Sequence, residues 1–522
     1  MAAKLEKLIL KDKTALYIAI AVTLISVVYW TMFGINAYNT FHEYSDLGFS
    51  TMSFYYHLNY PGVMHGLQYF VFWNHISPDQ IFFLPIFYLY QSSLTLLFIQ
   101  ALGLSLTGLL IFFVVKDLAK SSTLGVIFCI VYLLNPGMYG MLIFDYHAEF
   151  LLIPLFVLTF YLYMKLNKRW FFISLLLFLG SIESAPFLAI PLGVGLFLYD
   201  FSYTKDADLR KQRLMLASSV IILAVAAIAL EAYVTSVLVN SYSTSYSNLP
   251  AQFKVSNSGT GVVGNMVGAL TGNAGGQPWD PQFNGYLIYG LIIVFFSFGA
   301  VIIFDPLITL IFDLPWLSIV FFLHNLNFIV VWDQYFSYVL GGTIVGAIIG
   351  LMMIKERKGV VATYMHNKFG HEYMQTAITF LVVSIVCVTA IILVFYPAMV
   401  YSKNVNNLGQ DFLFMVGPQQ AALDSQINSL IMIVPKNASL ITDFYIVPHV
   451  ATRRYLEQFD PSTNIDRFFT PQYALIDLNE NISLNAYIDV GYAQSFFANN
   501  TNYRVYAYNG TGYLLEYNGT AP

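Results

Sequence analysis

The amino-acid sequence predicts a polytopic α-helical membrane protein with a small external α/β domain at its C-terminus. Of the 522 residues, 57% are hydrophobic and only 10% are charged, whereas a soluble domain has about 25% charged residues. The mean hydropathy is +0.64. Long apolar runs fill the chain as far as residue 399, and short β-branched runs separated by Pro, Asn and Asp follow them.

The apolar runs predict about eleven membrane spans, because a spanning helix needs about 20 apolar residues. The first run follows four lysines and has no small-residue cleavage site, which predicts a retained anchor. The segments 170–200 and 285–323 are each counted as two spans, although their helices are short or the turns between them are apolar. The predicted spans are 15–35, 92–115, 123–141, 149–165, 170–183, 185–200, 214–238, 285–304, 306–323, 336–354 and 377–399.

The basic residues predict the orientation of these spans by the positive-inside rule. Alternate connections hold 17 of the 24 Lys and Arg residues, and the first long loop, 36–91, holds none. The N-terminus is therefore predicted to be cytoplasmic and the C-terminus external. Glycosylation sequons agree with this topology, because all of them follow the last span. They are at Asn437, Asn481, Asn499, Asn509 and Asn518.

The chain is predicted to have two domains, a membrane domain over 1–399 and an external C-terminal α/β domain over 400–522. Long external loops are expected at 36–91 and 239–284, the second rich in Ser, Gly and Asn. Both cysteines, Cys129 and Cys387, lie in apolar runs and indicate small core residues. The net charge of −5 without a basic patch excludes nucleic acid as a partner.

Ionisable residues cluster at the predicted external boundary of the membrane. Asp145, His147 and Glu149 begin the fourth span, Asp46 follows the first span, and Glu183 interrupts an apolar run. Because a charge facing lipid is costly, groups at this depth are expected to face a water-filled cavity or one another. The sequence predicts that Asp46, His75, Asp145, His147 and Glu183 converge. The alternative is a hydrogen-bonded polar cluster in which Asp145 caps the helix of the fourth span.

The same side chains raise the hypothesis of a metal site. Asp145 and His147, together with His75, offer carboxylate and imidazole ligands suited to Mn or Zn. The sequence contains no closed ligand set with the spacing of a structural zinc site. A metal and a purely hydrogen-bonded cluster both stay open.

The first loop, 36–91, is aromatic and almost free of charge. It is predicted to lie in the interface plane as short helices, with Tyr, Phe and Trp at the depth of the headgroups. A membrane lipid, such as a lipid-linked substrate, would meet this surface first. An ordinary aromatic belt is the alternative interpretation.

Five motifs resemble, in order, those of the archaeal and bacterial predicted membrane proteins known as domain of unknown function 2079. They are EYSDLGFS, FWNHISPDQIFFLPIFYLY, FDYHAEFLLIPLF, SIESAPFLAIPLGVGLFLY and the tail motif VPKNASLITDFYIVPHVATRRY with QYALIDLN. That family is similar in architecture to the GT-C glycosyltransferases. The resemblance implies many spans, a long first external loop and sugar transfer from a polyprenyl-phosphate carrier on the external face of the cell membrane.

The resemblance also implies roles for individual residues. Asp46 is the candidate catalytic base. GT-C enzymes often have an adjacent acidic pair here, whereas this chain has Glu43 three residues earlier, a spacing at which both fit one helical face. The motif matches nominate His75, Asp145, His147, Glu149 and Glu183 as cavity or substrate-binding residues.

Two other functions stay open from the sequence. A transporter or flippase would use the carboxylates to carry protons or cations, and Glu231 lies at mid-span as that requires. A non-catalytic scaffold would use its glycosylated external domain to bind envelope partners. The glycosyltransferase hypothesis needs a cation for the leaving phosphate. Its external candidates are a metal, Lys254, Lys403, Arg453 and Arg454.

Overall fold

Long helices make up most of the chain, and a five-stranded sheet lies near the C-terminus. A computed structural model describes residues 10–60, 76–245, 281–299, 301–323, 328, 334–369, 384–385, 387, 416–458, 471–478 and 502–519. The α-helices are α1 Asp12–Asn39, α2 Ser45–Asn59, α3 Leu84–Leu89, α4 Ser93–Leu118, α5 Ser122–Leu133, α6 Pro136–Ile143, α7 Leu152–Met164, α8 Lys168–Gly180, α9 Ala185–Tyr203, α10 Ala207–Ser245, α11 Pro281–Phe296, α12 Pro306–Ser318, α13 Ser337–Glu356, α14 Val360–Phe369, α15 Pro418–Ile433 and α16 Val447–Val450.

The helices coincide with the predicted spans, but fewer of them are long enough to cross a membrane. In the described ranges five helices have the length and apolar composition of a span, and the bent pair α5 and α6 makes a sixth. The prediction of about eleven spans is not confirmed. Helices α8 and α12 have 13 residues each, so a straight crossing exceeds their length. The predicted span 377–399 lies almost wholly outside the described residues.

One face of several helices exposes large apolar side chains, which identifies it as the surface that meets lipid. Helix α1 exposes Tyr17, Ile25 and Val28, and helix α10 exposes Ile222 and Leu230. Exposure of such large apolar surfaces to water would be unfavourable. Together with the apolar core that joins the other helices, this arrangement is that of a membrane protein.

Helix α13 is the buried centre of the bundle. Every residue of Ser337–Ile354 is buried, and glycines allow close approach of its neighbours. A Cβ at Gly346 would lie 2.3 Å from Oγ1 of Thr309, and one at Gly350 would lie 2.2 Å from the carbonyl oxygen of Val301. Small residues at this spacing let membrane helices pack backbone to backbone. The packing fixes the start of α13, where Tyr338 lies.

The sheet near the C-terminus consists of β1 Leu440–Thr442, β2 Leu456–Gln458, β3 Tyr473–Asp477, β4 Tyr503–Tyr508 and β5 Gly512–Tyr517. Its strand order is β2-β1-β3-β5-β4. Strands β1, β2 and β3 are parallel, whereas β5 pairs antiparallel with both β3 and β4. Helix α15 packs on β3 and β5. The β-branched runs of the tail therefore form strands as the sequence predicts.

The C-terminal domain docks on α2, the helix of the first long loop. A Cβ at Gly48 would lie 2.5 Å from Cγ1 of Val447 and 2.9 Å from the backbone nitrogen of Pro448, so only glycine allows this approach. The Ser93 hydroxyl donates to the carbonyl oxygen of Pro448 at 2.7 Å. Apolar residues of α2 belong to the same buried cluster as those of the sheet. The sheet and α2 share a continuous core at this contact.

His449 is the polar centre of this contact. Its ring stacks on Tyr38 and on Phe41, with both centroid distances at 4.1 Å. Burial lowers the pKa of His449 to about 3, despite a hydrogen bond with the backbone of Tyr38. The neutral imidazole is therefore the form that the docked domain holds.

Acid is expected to weaken the docking through His449. The undocked histidine takes up a proton at its ordinary pKa of about 6.5, so the stability that the neutral ring provides is present above that pH. This stability decreases as the pH drops toward 3, and at pH 5 it is about 2 kcal/mol lower than at neutral pH. The measurement is protease release of the C-terminal domain at pH 7 and pH 5. His449→Phe keeps the stacking without the titration and should flatten this difference; an unchanged pH dependence in that variant would refute the assignment.

Candidate functional site

Asp46, His147 and Asp145 form a row of charged side chains at the end of the helical bundle nearest the C-terminal domain. Nδ1 of His147 lies 2.7 Å from Oδ1 of Asp145. Nε2 of the same ring lies 3.7 Å from Oδ2 of Asp46. Asp145 is fully buried and the His147 side chain is 7% exposed, whereas the Asp46 side chain is 43% exposed. The row thus has a buried end and an open end, and a ligand from solution would meet Asp46.

The fold holds this row through contacts that are remote in sequence. Oδ2 of Asp145 accepts a hydrogen bond from the backbone N–H of Leu47 at 2.9 Å, so it caps helix α2 instead of the fourth span. The Gln100 amide donates to the carbonyl oxygen of Asp145 at 3.0 Å and accepts from the backbone N–H of His147 at 2.8 Å. Sequence reasoning missed Gln100; its signal is a lone amide in an otherwise apolar span.

The electrostatics favour an imidazolium between two carboxylates. Burial alone would lower the pKa of His147, but the charge of Asp145 and contacts with both aspartates hold the pKa well above its ordinary value. Burial raises the pKa of Asp145 to about 6, opposed by His147 and by the Leu47 N–H. At neutral pH the pair is therefore a buried ion pair. Asp46 lies in the first turn of α2, where the helix dipole stabilises a carboxylate.

Glu43 lies apart from Asp46 and in a different environment. Helix α2 begins at Ser45, so Glu43 precedes it and the two acids do not share a helical face. Its side chain is buried. Burial and then the charge of Asp145 hold the pKa of Glu43 well above its ordinary value. Such a carboxyl group keeps its proton to a higher pH than an ordinary glutamate does, and the catalytic role of Glu43 stays a prediction.

Glu149 and Glu183 both lie inside the bundle. Glu149 is fully buried, and among the described residues neither of its carboxyl oxygens has a hydrogen-bond partner. The short turn 148–151 that carries it packs against α13. Glu183, which lies between α8 and α9, is also buried. Glu149 follows His147 by two residues, so this predicted cavity residue lies next to the charged row.

No described group of three His, Cys, Asp or Glu side chains is arranged to hold a metal ion. His75, the third of the predicted ligands, lies outside the described residues. Both ring nitrogens of His147 face carboxylates at ion-pair distances, an arrangement that stabilises the protonated ring. A protonated imidazole has no lone pair for a metal.

The two arginines proposed as partners of a leaving phosphate make other contacts. Arg453 is buried and donates to the carbonyl oxygens of Pro435 and Val434. Arg454 is exposed over the ring of Tyr60, at the far end of α2 from Asp46. Lys254 and Lys403 lie outside the described residues. In the part of the chain that the structure describes, His147 is the cation in contact with Asp46.

Comparison with known proteins identifies the family. No curated protein matches the chain. The family model described as predicted membrane protein, DUF2079, matches residues 50–515. The match includes Asp145, His147, Glu149 and Glu183 and begins just after Asp46. It covers most of the chain, contains the last four of the five motifs in full and confirms the resemblance. The chain therefore belongs to the DUF2079 family of predicted membrane proteins.

Proposed function

We propose that the protein is a GT-C-like glycosyltransferase that moves a sugar from a polyprenyl-phosphate carrier on the external face of the cell membrane. The observation that carries this proposal is the open carboxylate of Asp46, which lies 3.7 Å from an imidazole that a buried aspartate holds. A positioned carboxylate at the start of a first-loop helix suits a general base. The aromatic residues of that loop suit a substrate held at the membrane surface.

In this proposal Asp46 accepts the proton of the acceptor hydroxyl. The freed oxygen attacks the anomeric carbon, and the bond from that carbon to the phosphate oxygen breaks, so the phosphate leaves with the electron pair. His147, charged and held by Asp145, orients Asp46 and places positive charge near the departing phosphate. Arg454 is too remote for this step. Its carbonyl oxygen accepts a hydrogen bond from the hydroxyl of Tyr56. Tyr56 lies ten residues after Asp46 on α2, which is about 15 Å along the helix.

A proton-coupled transporter or flippase is a second candidate, favoured by one observation. Among the described residues, neither carboxyl oxygen of the fully buried Glu149 has a hydrogen-bond partner, and Glu183 is buried in the same bundle. Glu231 extends this acidic series along α10. Ionisable groups inside a helical bundle are typical of proton pathways. This alternative uses the deeper acids, whereas the glycosyltransferase uses Asp46.

Identification of the lipid that copurifies with the protein separates the two functions. The protein is purified in mild detergent, and its lipids are extracted and identified by mass spectrometry. A polyprenyl phosphate enriched over the bulk membrane lipids supports the transferase. Bulk lipids alone, together with a melting temperature that depends on proton or cation concentration, support the transporter.

The proposal requires the N-terminus inside and the C-terminal domain outside. A cysteine introduced at Asn509, in the turn between β4 and β5, should react with an impermeant maleimide on intact cells. A cysteine at Ser202, near the cytoplasmic end of α9, should react only after permeabilisation. The background is a chain without Cys129 and Cys387. Labelling at Ser202 in intact cells would reverse the topology.

A further inference from the structure

Partly exposed aromatic rings border the open end of the charged row. Tyr44, two residues before Asp46, stacks on Phe144 with ring centroids 5.0 Å apart. Phe144 in turn lies 5.1 Å from the ring of His147. The C-terminal domain adds two more rings, Phe444 and Tyr445, at 5.7 Å and 6.0 Å from Tyr44. Two separate parts of the chain therefore meet beside the exposed carboxylate.

We propose that these four rings, which we name the aromatic wall, bind the sugar ring of the substrate. The aromatic wall consists of Tyr44, Phe144, Phe444 and Tyr445. This inference rests on the proposed function and adds a binding site to it, half of which the C-terminal domain supplies. A pyranose has an apolar face of C–H groups, which stacks on aromatic rings, and a rim of hydroxyls, which suits the adjacent Asp46.

The C-terminal rings are held in place by their own domain. Phe444 and Tyr445 lie just after β1, separated from it by Asp443. Ile446 and Val447 donate their backbone N–H groups to the carbonyl oxygen of Asp443 in this turn. The Asp443 carboxylate accepts from the N–H of Asp477 at 2.6 Å. Helix α16 then begins at Val447, the residue in contact with Gly48. The turn is thus fixed to the sheet on one side and to α2 on the other.

The chemistry of the border favours a sugar over the hydrocarbon chain of the carrier. Four rings alone would suit either ligand. The exposed carboxylate of Asp46, however, lies within the same border and offers hydrogen-bond acceptors that a hydrocarbon chain cannot use. Hydroxyl groups of a sugar satisfy them.

Saturation-transfer NMR on the full chain in nanodiscs tests the aromatic wall. The probes are short-chain polyprenyl-phosphate glucose, galactose and mannose, with the sugar-free polyprenyl phosphate as reference. For at least one sugar, saturation of protein aromatic protons is expected to reach the pyranose C–H protons. Phe444→Leu, which keeps an apolar side chain without a ring, should weaken binding of that probe about three- to tenfold. Phe444→Trp should restore it.

Tyr508→Ala serves as the matched control, because Tyr508 is an exposed aromatic residue of β4, outside both the aromatic wall and the first loop. This variant should bind the probe as tightly as the unaltered protein does. Saturation confined to the polyprenyl protons overturns the proposal in favour of hydrocarbon binding. Turnover without saturation of any sugar proton overturns the aromatic wall and leaves the transferase standing. Saturation of sugar protons without turnover on any carrier supports the aromatic wall and removes the proposed transfer activity.

Discussion

Asp46→Asn is expected to abolish sugar transfer while the protein still folds and binds its carrier lipid. The amide is nearly isosteric with the carboxylate but cannot accept the acceptor's proton. Loss of a general base typically reduces the rate by about a hundred- to ten-thousand-fold. Because the substitution removes an interaction of the transition state, the loss should appear in turnover with little change in donor affinity. Single-turnover transfer and carrier binding, measured on the same preparation, separate the two quantities.

Asp208→Asn is the matched control for that variant. Asp208 also lies in the first turn of a helix and is exposed, but it belongs to α10, near the basic segment of residues 205–213. Its substitution should leave transfer unchanged. If Asp46→Asn retained the activity of the unaltered protein, Asp46 would not be the base, and the catalytic assignment would have to move to another group.

Asp145→Ala is expected to produce the largest loss of stability. It leaves the His147 imidazolium buried without its closest carboxylate, and breaking a buried ion pair in this way costs about 3–5 kcal/mol. It also removes the side chain that caps α2 through the Leu47 N–H. Thermal unfolding in detergent should show a clearly lower melting temperature, and α2 should become more accessible to protease.

A double variant shows whether the loss comes from the ion pair. With Asp145→Ala and His147→Phe together, no unpaired charge stays buried, so the combined loss should be smaller than the sum of the two single losses. Strict additivity of the single losses would mean that the two side chains do not interact. In that case the charged row would not be the unit that positions Asp46.

The helices and strands were largely predictable because their signals are local. The apolar runs 92–115 and 185–200 became helices Ser93–Leu118 and Ala185–Tyr203. The tail segment LIT became the first strand of the sheet. The number of spans was harder to predict from the sequence. Polar or Pro-containing breaks near 134–136, 144–147 and 181–184 divide apolar runs into short helices. Hydropathy alone does not reveal where such a break falls.

The sequence indicated which charged side chains approach one another, but not the contacts that hold them in place. Asp46, Asp145 and His147 stand out because charge is rare in so apolar a chain, and the structure brings them together. The sequence did not indicate that Asp145 caps a helix 98 residues away, or that Gln100 joins two backbone groups of the row. These contacts depend on tertiary packing. The docking of Val447 on Gly48 is of the same kind.

Transfer of radiolabelled sugar by the purified protein tests the central claim most directly. Polyprenyl-phosphate sugars are offered with a crude acceptor fraction of the external envelope, with and without a chelator, to the unaltered chain, Asp46→Asn and Asp208→Asn. The proposed function predicts label in the acceptor with the unaltered chain and with Asp208→Asn, and none with Asp46→Asn. Folded, carrier-bound protein that transfers no sugar from any donor, or transfer that Asp46→Asn performs equally well, would contradict it.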